Sequence, residues 1–283
     1  MQKDIELSII IPYYNKADLL KKTLLSIPDR NWIQVIVVDD HSDKLLSEYE
    51  ELKQKFSEER GYLFLENPDK YAGTARNHGM KYAVGKWLMF ADSDDYFTEN
   101  FEEVIMRHLD DTEDLIYFTP VSVNIDEPTK KSYRHVPYQR LVEDYIISPN
   151  TQHEYALRFN YVVPWSKMIR RDIVILNNIK YEASKYNEDI LFSAKCGGYA
   201  RKIKAVDENV YCVTDSSNHM VKTIKAEDQK SIEDENDKYR RWIKCHVVLK
   251  GRRAMGWSRY EIFSLIKDHY KIRIKRFLQG KNR

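Results

Sequence analysis

Short apolar runs alternate with polar, amphipathic stretches through the first hundred residues of this chain. The apolar runs are residues 7–11, 34–38, 62–66 and 87–91, and the stretches with a helical pattern are residues 17–26, 45–59 and 73–83. Short runs rich in β-branched residues are typical of strands buried on both faces of a parallel sheet. The order β-α-β-α-β-α-β therefore predicts an α/β domain with a mostly parallel sheet covered by helices.

The pattern becomes irregular after Asp95. Its predicted elements are a strand at 115–120, a hairpin or excursion at 124–140, a helix at 188–197, short strands at 201–206 and 209–214, and a charged helix from 227 onward. We expect this half of the chain to shape the pocket for a second substrate.

Polar residues follow each of the four N-terminal strands. They are residues 12–15 (PYYN), 39–42 (DDHS), 67–70 (NPDK) and 92–95 (DSDD). Because the carboxyl ends of parallel strands meet at one edge of a sheet, these clusters are expected to converge on one crevice. There Tyr14 can stack on a base, Asp39 can accept a hydrogen bond from the base, and Asp94 can hold a metal that bridges two phosphates.

The last cluster places three carboxylates, Asp92, Asp94 and Asp95, within four residues at the end of an apolar strand. Like charges at this spacing repel unless a cation lies between them, and oxygen ligands suit Mg²⁺ or Mn²⁺. A simpler interpretation is a solvated helix cap, and residues 39–42 could likewise cap a turn. Since capping needs only one acid, three acids favour a metal-assisted enzyme that uses a nucleotide.

Composition places the chain among ordinary globular proteins. It has 283 residues, 42% of them apolar, which is enough for a sizeable core. Its apolar runs are far shorter than the ~18 residues of a membrane span, and no long apolar stretch follows Met1, so no secretory signal is expected. Cys196, Cys212 and Cys245 are odd in number and widely spaced, which favours reduced thiols over a zinc or redox site. We therefore expect a cytoplasmic protein.

Charge is distributed unevenly along the chain. Residues 238–283 contain 15 lysines and arginines and two acidic residues, a net +13, and since the whole chain is +2, residues 1–237 carry −11. The aromatic residues of this basic tail are Trp242, Trp257, Tyr260, Phe263 and Phe277. The mixture predicts peripheral contact with anionic lipid on the inner face of the cell membrane. Docking on the acidic part of the chain explains it equally well, and nucleic acid is not expected as a partner.

Several segments together carry a family resemblance. They are residues 8–15 (SIIIPYYN), 37–42 (VVDDHS), 73–77 (GTARN) and 92–95 (DSDD), followed more loosely by 164–167 (PWSK), 187–189 (NED) and 211–221. In order and spacing they resemble the motifs of family 2 glycosyltransferases with the GT-A fold. The resemblance implies a Rossmann-like, mostly parallel sheet flanked by helices. It divides the chain into a nucleotide-sugar-binding half (1–98), an acceptor-binding and catalytic-base half (99–225) and a basic helical C-terminal extension (226–283).

The resemblance also implies a donor-binding set. Its members are Pro12, Tyr14, Asn15, Asp39, Arg76, Asp92 and Ser93. Arg76 would reach the base or the diphosphate, since the fork of a guanidinium suits phosphate, and its simpler alternative is a surface salt bridge. Asp92 would contact the ribose or the metal shell, and Asp94 would bind the metal directly. His219 is a further candidate metal ligand, with a structural histidine as the alternative.

Catalysis is assigned by the resemblance to Glu188 and Asp189, with Asp189 taking the proton of the acceptor hydroxyl. Both precede a predicted helix, whose dipole attracts carboxylates in any case and is expected to lower the basicity of Asp189. Asp189 is therefore expected to act mainly through positioning. Trp165 is either an acceptor-binding platform for a sugar or a core residue. Val213-Thr214-Asp215 stands where related enzymes often place an Arg before the Ser, so that loop's phosphate-binding role does not transfer directly.

The function implied is an inverting glycosyltransferase that moves a sugar from a nucleotide-sugar donor, expected to be a UDP-sugar, to a saccharide or lipid-linked saccharide, with Mn²⁺ or Mg²⁺ as cofactor. Bacterial surface polysaccharide or lipopolysaccharide synthesis is the expected pathway by analogy. A metal-dependent nucleotidyltransferase is the alternative enzyme, although no Gly-rich, basic loop follows the first strand. A non-catalytic nucleotide-sugar-binding module is the other alternative. The missing Gly-x-Gly-x-x-Gly motif disfavours a dinucleotide oxidoreductase.

Overall fold

A computed structural model describes residues 5–216 and 228–247 of the chain. In chain order the elements are β1 (Leu7–Tyr13), α1 (Ala17–Ser26), β2 (Ile33–Asp39), α2 (Leu46–Arg60), β3 (Leu63–Glu66), α3 (Ala72–Met80), β4 (Trp87–Phe90), β5 (Tyr96–Phe97), α4 (Phe101–Met106), β6 (Leu115–Asn124), α5 (Val136–Ile147), α6 (Thr151–Asn160), β7 (Lys167–Arg170), α7 (Arg171–Leu176), α8 (Ile190–Tyr199), β8 (Ile203–Asp215) and α9 (Gln229–His246).

The described strands form one sheet in the order β3-β2-β1-β4-β7-β6-β8-β5. β1 runs parallel to both β2 and β4, with Leu7 opposite Ile33 on one side and Trp87 on the other, and β2 runs parallel to β3. The parallel α/β half predicted from the apolar runs is confirmed. The sheet continues without interruption from this half into the strands that follow residue 98, so the two predicted halves share a single sheet.

Helices cover both faces of the parallel strands. The chain steps outward from β1 to β3 and then returns to β4, so right-handed crossovers place α1 and α2 on one face and α3 on the other. Gly79 of α3 lies so close to this face that a Cβ atom would be 2.7 Å from the Ile10 side chain. The central strands are consequently buried on both sides, and every residue of β1 is buried.

Some predicted boundaries differ from those in the structure. α3 ends at Met80 instead of Ala83, and the two short strands expected at 201–206 and 209–214 form one strand, β8, whose pairing with β6 shifts register after Phe118. Within the excursion predicted at 124–140, Lys131 forms an isolated bridge with Val123 of β6, and α5 begins at Val136. The short antiparallel strands β5 and β7 were not predicted, because two to four residues carry too little periodicity.

The charged helix predicted from residue 227 is present as α9, whose buried Ile243 packs with Phe159, Ala194 and Val247, the residue that follows the helix. Trp242, one of the aromatic residues assigned to a membrane-facing tail, packs against Phe159 within this cluster. The remainder of the tail, residues 248–283, lies outside the described residues. Within the described ranges, no helix combines the length and the apolar character needed to cross a bilayer.

Candidate functional site

The carboxyl ends of β1, β2, β3 and β4 meet at one edge of the sheet. The strand order reverses between β1 and β4, and open α/β sheets bind ligands at such a switch point. Four non-glycine residues in the loops at this edge have left-handed backbone angles: Asn15 (φ 57°), His41 (φ 62°), Leu45 (φ 52°) and Tyr71 (φ 83°). Strained conformations of this kind cluster at ligand sites, so the backbone marks the same crevice as the motifs.

Asn15 joins the loops that follow β1 and β2. Its Oδ1 accepts hydrogen bonds from the Asp43 and Lys44 N–H groups, both at 2.8 Å, and its Nδ2 donates to Asp43 at 2.6 Å. The Asn15 N–H donates to the Ser42 hydroxyl at 3.0 Å. These contacts occupy most of the hydrogen-bonding capacity of the side chain, so Asn15 shapes the crevice by holding its loops together.

Tyr14 and Asp39, which are expected to hold the nucleotide base, have environments suited to that role. Tyr14 is 54% exposed at the mouth of the crevice, whereas Pro12 is buried within β1. Asp39 Oδ1 accepts from the Ser42 hydroxyl at 2.5 Å and from the Ser42 N–H at 3.2 Å. Fixing one oxygen in this way orients the Asp39 carboxylate at the end of β2, and the exposed Tyr14 ring retains a face for stacking.

The turn formed by residues 92–95 is held by three residues from distant elements. Thr23 of α1 donates to the carbonyl oxygens of Ser93 (3.0 Å) and Asp95 (2.6 Å). Tyr211 of β8 accepts from the Asp92 N–H at 2.9 Å, and Thr214 donates to the Asp94 carbonyl oxygen at 2.9 Å. None of Thr23, Tyr211 and Thr214 was singled out from the sequence for this role, and no local signal connects them with a turn so far along the chain.

Asp95 has a structural role. It is 3% exposed, and its carboxyl group accepts from Tyr211 Oη (2.9 Å) and the Thr214 N–H (2.7 Å). Burial, reinforced by the charges of Asp92 and Asp94, raises the pKa of Asp95 well above its ordinary value. The three neighbouring carboxylates therefore divide into one buried anchor and two partly exposed groups.

Protein cations reach both exposed carboxylates of this turn. Lys16 Nζ lies 2.8 Å from Asp94, and Arg76 lies 2.6 Å from Asp92. The expectation that a metal must separate these acids is therefore too strong, because Lys16 and Arg76 already offset their charge. Lys16 was overlooked, although it directly follows the PYYN cluster and its position beside that motif was a usable signal.

The residues present fit a divalent cation in part. Among the described residues, no three His, Cys, Asp or Glu side chains converge on a preformed metal site, and His219 lies outside those residues. Asp92 and Asp94 remain partly accessible, with 33% and 22% of their side chains exposed. Mg²⁺ is commonly held by only one or two carboxylates together with substrate phosphates and water, and this pair suits that arrangement.

Arg76 does not lie on the surface and does not have a free guanidinium. It sits in the second turn of α3, is 4% exposed, and donates to Asp92 (2.6 Å) and Glu188 (2.8 Å), with its guanidinium 5.2 Å from the Tyr181 ring centre. Burial lowers the pKa of Arg76, but the charges of Asp92 and Glu188 raise it by more than burial lowers it. The net shift is upward, and the guanidinium stays charged. The interpretation of Arg76 as part of a surface salt bridge is thus wrong. The geometry favours a guanidinium that links Asp92 to Glu188 over one that contacts a diphosphate directly.

Asp189 occupies the N-cap position of α8, without a side-chain capping hydrogen bond. Although the residue is partly accessible, surrounding protein atoms desolvate its carboxyl group; this burial, followed by repulsion from Glu188, raises the pKa to about 7. The expectation that the helix dipole would lower its basicity is wrong in direction, because desolvation dominates. A carboxylate with a pKa near neutrality is suited to accept a proton.

Trp165 belongs to the core. It is 4% exposed, Tyr211 stacks on it with ring centres 5.9 Å apart, and Tyr138 packs edge-on at 5.0 Å. A sugar platform needs an open aromatic face. The acceptor-binding role assigned to Trp165 therefore does not agree with the structure, and the alternative, a core residue, does.

Fold and site together define a GT-A type α/β protein whose polar motifs meet at one edge of the sheet. The chain belongs to glycosyl transferase family 2, whose sequence model matches residues 8–176, more than half of the chain. One similar protein is the uncharacterized glycosyltransferase YibD of Escherichia coli (strain K12), 25% identical over 221 residues, which are 75% of this chain and 62% of YibD.

A second relative is the poly(ribitol-phosphate) beta-N-acetylglucosaminyltransferase TarS of Staphylococcus aureus (strain MW2), 27% identical over 217 residues, or 73% of this chain and 35% of TarS. The chain thus spans 62% of the length of YibD and about a third of TarS. The crystal structure of S. aureus TarS 1-349 in complex with UDP-GlcNAc superimposes with a TM-score of 0.68 at 19% identity, covering 88% of this chain and 70% of that one. This similarity confirms the GT-A fold.

Proposed function

We propose that this protein is an inverting glycosyltransferase that uses a UDP-sugar donor and the hydroxyl of a saccharide or lipid-linked saccharide as acceptor. One observation carries the proposal: Arg76 links Asp92, at the donor edge of the sheet, to Glu188, the neighbour of Asp189. A carboxyl group of raised pKa is thereby placed next to the crevice that family membership associates with the donor. TarS, which shares the fold, has been crystallised with UDP-GlcNAc and with UDP.

The proposed reaction is a single displacement. The acceptor oxygen forms a bond to the anomeric carbon while the bond from that carbon to the diphosphate oxygen breaks, which inverts the configuration. Asp189 takes the proton of the acceptor hydroxyl, and the electron pair of the broken bond leaves with the diphosphate. Tyr14 stacks on the base, Asp39 accepts a hydrogen bond from its edge, and the ordered 92–95 turn fixes the ribose and diphosphate side of the donor.

A divalent cation is the proposed cofactor, held by Asp94 with Asp92 beside it and His219 as a further candidate. When bound it would supply positive charge for the departing diphosphate. Lys16, which pairs with Asp94 at 2.8 Å, contributes a cation of the protein's own at the same corner. Arg76 holds Asp92 and Glu188 at a fixed distance from each other. It therefore influences both the donor site and the catalytic base Asp189.

The biological setting is proposed by family analogy. We place the protein in the cytoplasm and its reaction in bacterial surface polysaccharide or lipopolysaccharide synthesis, where an acceptor can be linked to lipid. The net +13 charge of residues 238–283 supports peripheral contact with the anionic inner face of the membrane. Vesicle sedimentation with and without anionic lipid, on the full chain and on a chain shortened after Val247 so that α9 is kept, tests this part separately.

The experiment that tests the central proposal compares wild-type protein, D189N and the exposed control D172N. A panel of nucleotide sugars is first screened by thermal shift with and without Mn²⁺, because selective stabilisation reports binding to the folded state. UDP release is then measured with the stabilising donor and a range of saccharide acceptors. We expect D189N to bind UDP as the wild type does in calorimetry but to lose transfer, while D172N keeps both. Transfer by D189N at the wild-type rate would overturn the assignment of the base.

A further inference from the structure

Residues 181–189, here called the base loop, carry Glu188 and Asp189 to the start of α8. The Glu182 N–H donates to the Glu188 carbonyl oxygen at 3.2 Å, which closes the loop. Asn187, immediately before the catalytic pair, has a φ of 56°, a left-handed conformation that is uncommon for a non-glycine residue. Because such a conformation persists only where its surroundings hold it, the contacts of the base loop decide where Asp189 lies.

α3 holds one side of the base loop. Asn77 donates to the Tyr181 carbonyl oxygen and accepts from the Tyr181 N–H, both at 2.9 Å. Gly73 packs so closely that a Cβ atom there would lie 2.4 Å from the Glu182 carbonyl oxygen and 2.8 Å from Glu188 Cγ. Backbone and glycine leave the loop no room to move toward α3.

α9 holds another side through side chains. Among the contacts within the described residues, Ser184 meets Ser231 (3.3 Å), Asn187 meets Asn236 (3.2 Å) and Glu182 meets Lys238 (2.7 Å), while Asp228 at the N-cap meets both Tyr186 (2.9 Å) and Lys185 (3.5 Å). They are spread over about ten residues of α9 and reach most of the base loop. The contact from Asn236 Oδ1 ends on the strained residue next to Glu188.

α9 is itself anchored at its other end. Ile243 is fully buried, and the Tyr239 hydroxyl donates to the Phe159 carbonyl oxygen of α6 at 3.1 Å. Trp242 lies against Gly198 of α8, where a Cβ atom would be 2.4 Å from the indole ring. The second half of α9 is therefore packed against α6 and α8, while the first half contacts the base loop. Because the packed half fixes the position of the helix, its first half fixes the position of the loop.

We propose that α9 braces the base loop and that Asn236 is a positioning residue for Asp189, acting through Asn187. The inference rests on the proposed function, since it takes Asp189 as the base. α9 lies beyond residues 8–176, so the brace is a feature of this chain that the match to the family model does not cover. Asn236 acts through its contact with Asn187 and so sets the angle at which Asp189 meets the acceptor.

The test compares N236A, N236S and N236D with the control D234A, an exposed change on the same helix. Alanine removes the acceptor oxygen, serine is too short to reach Asn187, and aspartate keeps an acceptor at the same place. Because small misplacements of a catalytic group reduce turnover steeply, we expect N236A and N236S to lower kcat about tenfold or more. The KM for the donor and the calorimetric Kd for UDP should stay at wild-type values, and N236D should restore most of kcat.

The outcomes separate this inference from the proposed function because D189N is assayed in parallel. If D189N is inactive while N236A and N236S turn over like D234A, the brace is refuted and the base stands. If D189N is active, both fail. A fall in kcat that D234A shares, or one that N236D does not restore, shows general damage to α9 and also refutes the role of Asn236. If N236A does not fold, N236S is used for the same comparison.

Discussion

Replacing Arg76 by methionine tests the interaction that unites the two halves of the site. The substitution keeps much of the side-chain length but removes a guanidinium that is 4% exposed and contacts Asp92 and Glu188 at 2.6 and 2.8 Å. Removing one partner of a buried ion pair costs about 3–5 kcal/mol of unfolding free energy, since the remaining charge loses its compensation. Asp92 is one-third exposed and water screens it, so we expect the lower end, about 3 kcal/mol.

The same substitution should alter the pH dependence of turnover. Burial and Glu188 raise the pKa of Asp189, and Arg76 opposes them. Without the guanidinium, that pKa rises further, so the acid limb of the kcat profile should move to higher pH by about one unit, the smaller of the shifts expected for a neighbouring arginine. Sugar transfer measured from pH 5.5 to 9 gives the profile, and urea unfolding at pH 7 gives the stability.

R30M is the matched control, because Arg30 also pairs with a glutamate, Glu102, but does so at the surface. We expect R30M to leave the profile and the unfolding midpoint close to those of the wild type. The reasoning would be refuted if R76M had an unfolding free energy within about 0.5 kcal/mol of wild type and an unmoved acid limb in its kcat profile. Arg76 would then behave like an ordinary surface charge.

Three further predictions concern single side chains of the site. D189N should be more stable than wild type in urea at pH 8, and the difference should shrink toward pH 4. The folded pKa of Asp189 is raised from 3.8 to about 7, so the free energy of unfolding of the wild type falls as pH rises through that window. A pH-independent difference would contradict this. D95A should lose about 2 kcal/mol of unfolding free energy, since it leaves the hydroxyl of Tyr211 without its buried acceptor, whereas D94A should lose less than about 1 kcal/mol and weaken manganese-dependent UDP binding in calorimetry. W165A should cost about 3–5 kcal/mol as a core truncation, so unchanged stability combined with a raised acceptor KM would reinstate a sugar platform.

Local pattern was sufficient for much of the N-terminal half. α1 was predicted with the bounds it has, Ala17–Ser26, and β1, β2 and β4 were located to within two residues. These elements are short and strongly apolar or strongly periodic, so contacts between near neighbours in sequence largely determine them. The placing of polar motifs after strands then located the crevice, because parallel strands bring their carboxyl ends to one edge.

The roles of individual residues depended on partners far along the chain. Arg76 meets Glu188 across 112 residues, and Asp95 meets Tyr211 across 116. A sequence pattern reports which residue types are present but not which of them come together, so a surface ion pair was weighed for Arg76 and a metal site for all three acids. The choice between a functional and a core interpretation of Trp165 likewise required its exposed fraction.

What the sequence by itself determined is the class of fold, the family and the edge of the sheet where the polar motifs meet, because apolar periodicity and compact motifs are short-range features. Only the tertiary structure decided that Asp95 is an anchor, that Arg76 is a bridge and that the pKa of Asp189 is raised. Desolvation and charge pairing depend on every atom packed around a group, and packing joins residues that the order of the chain keeps apart.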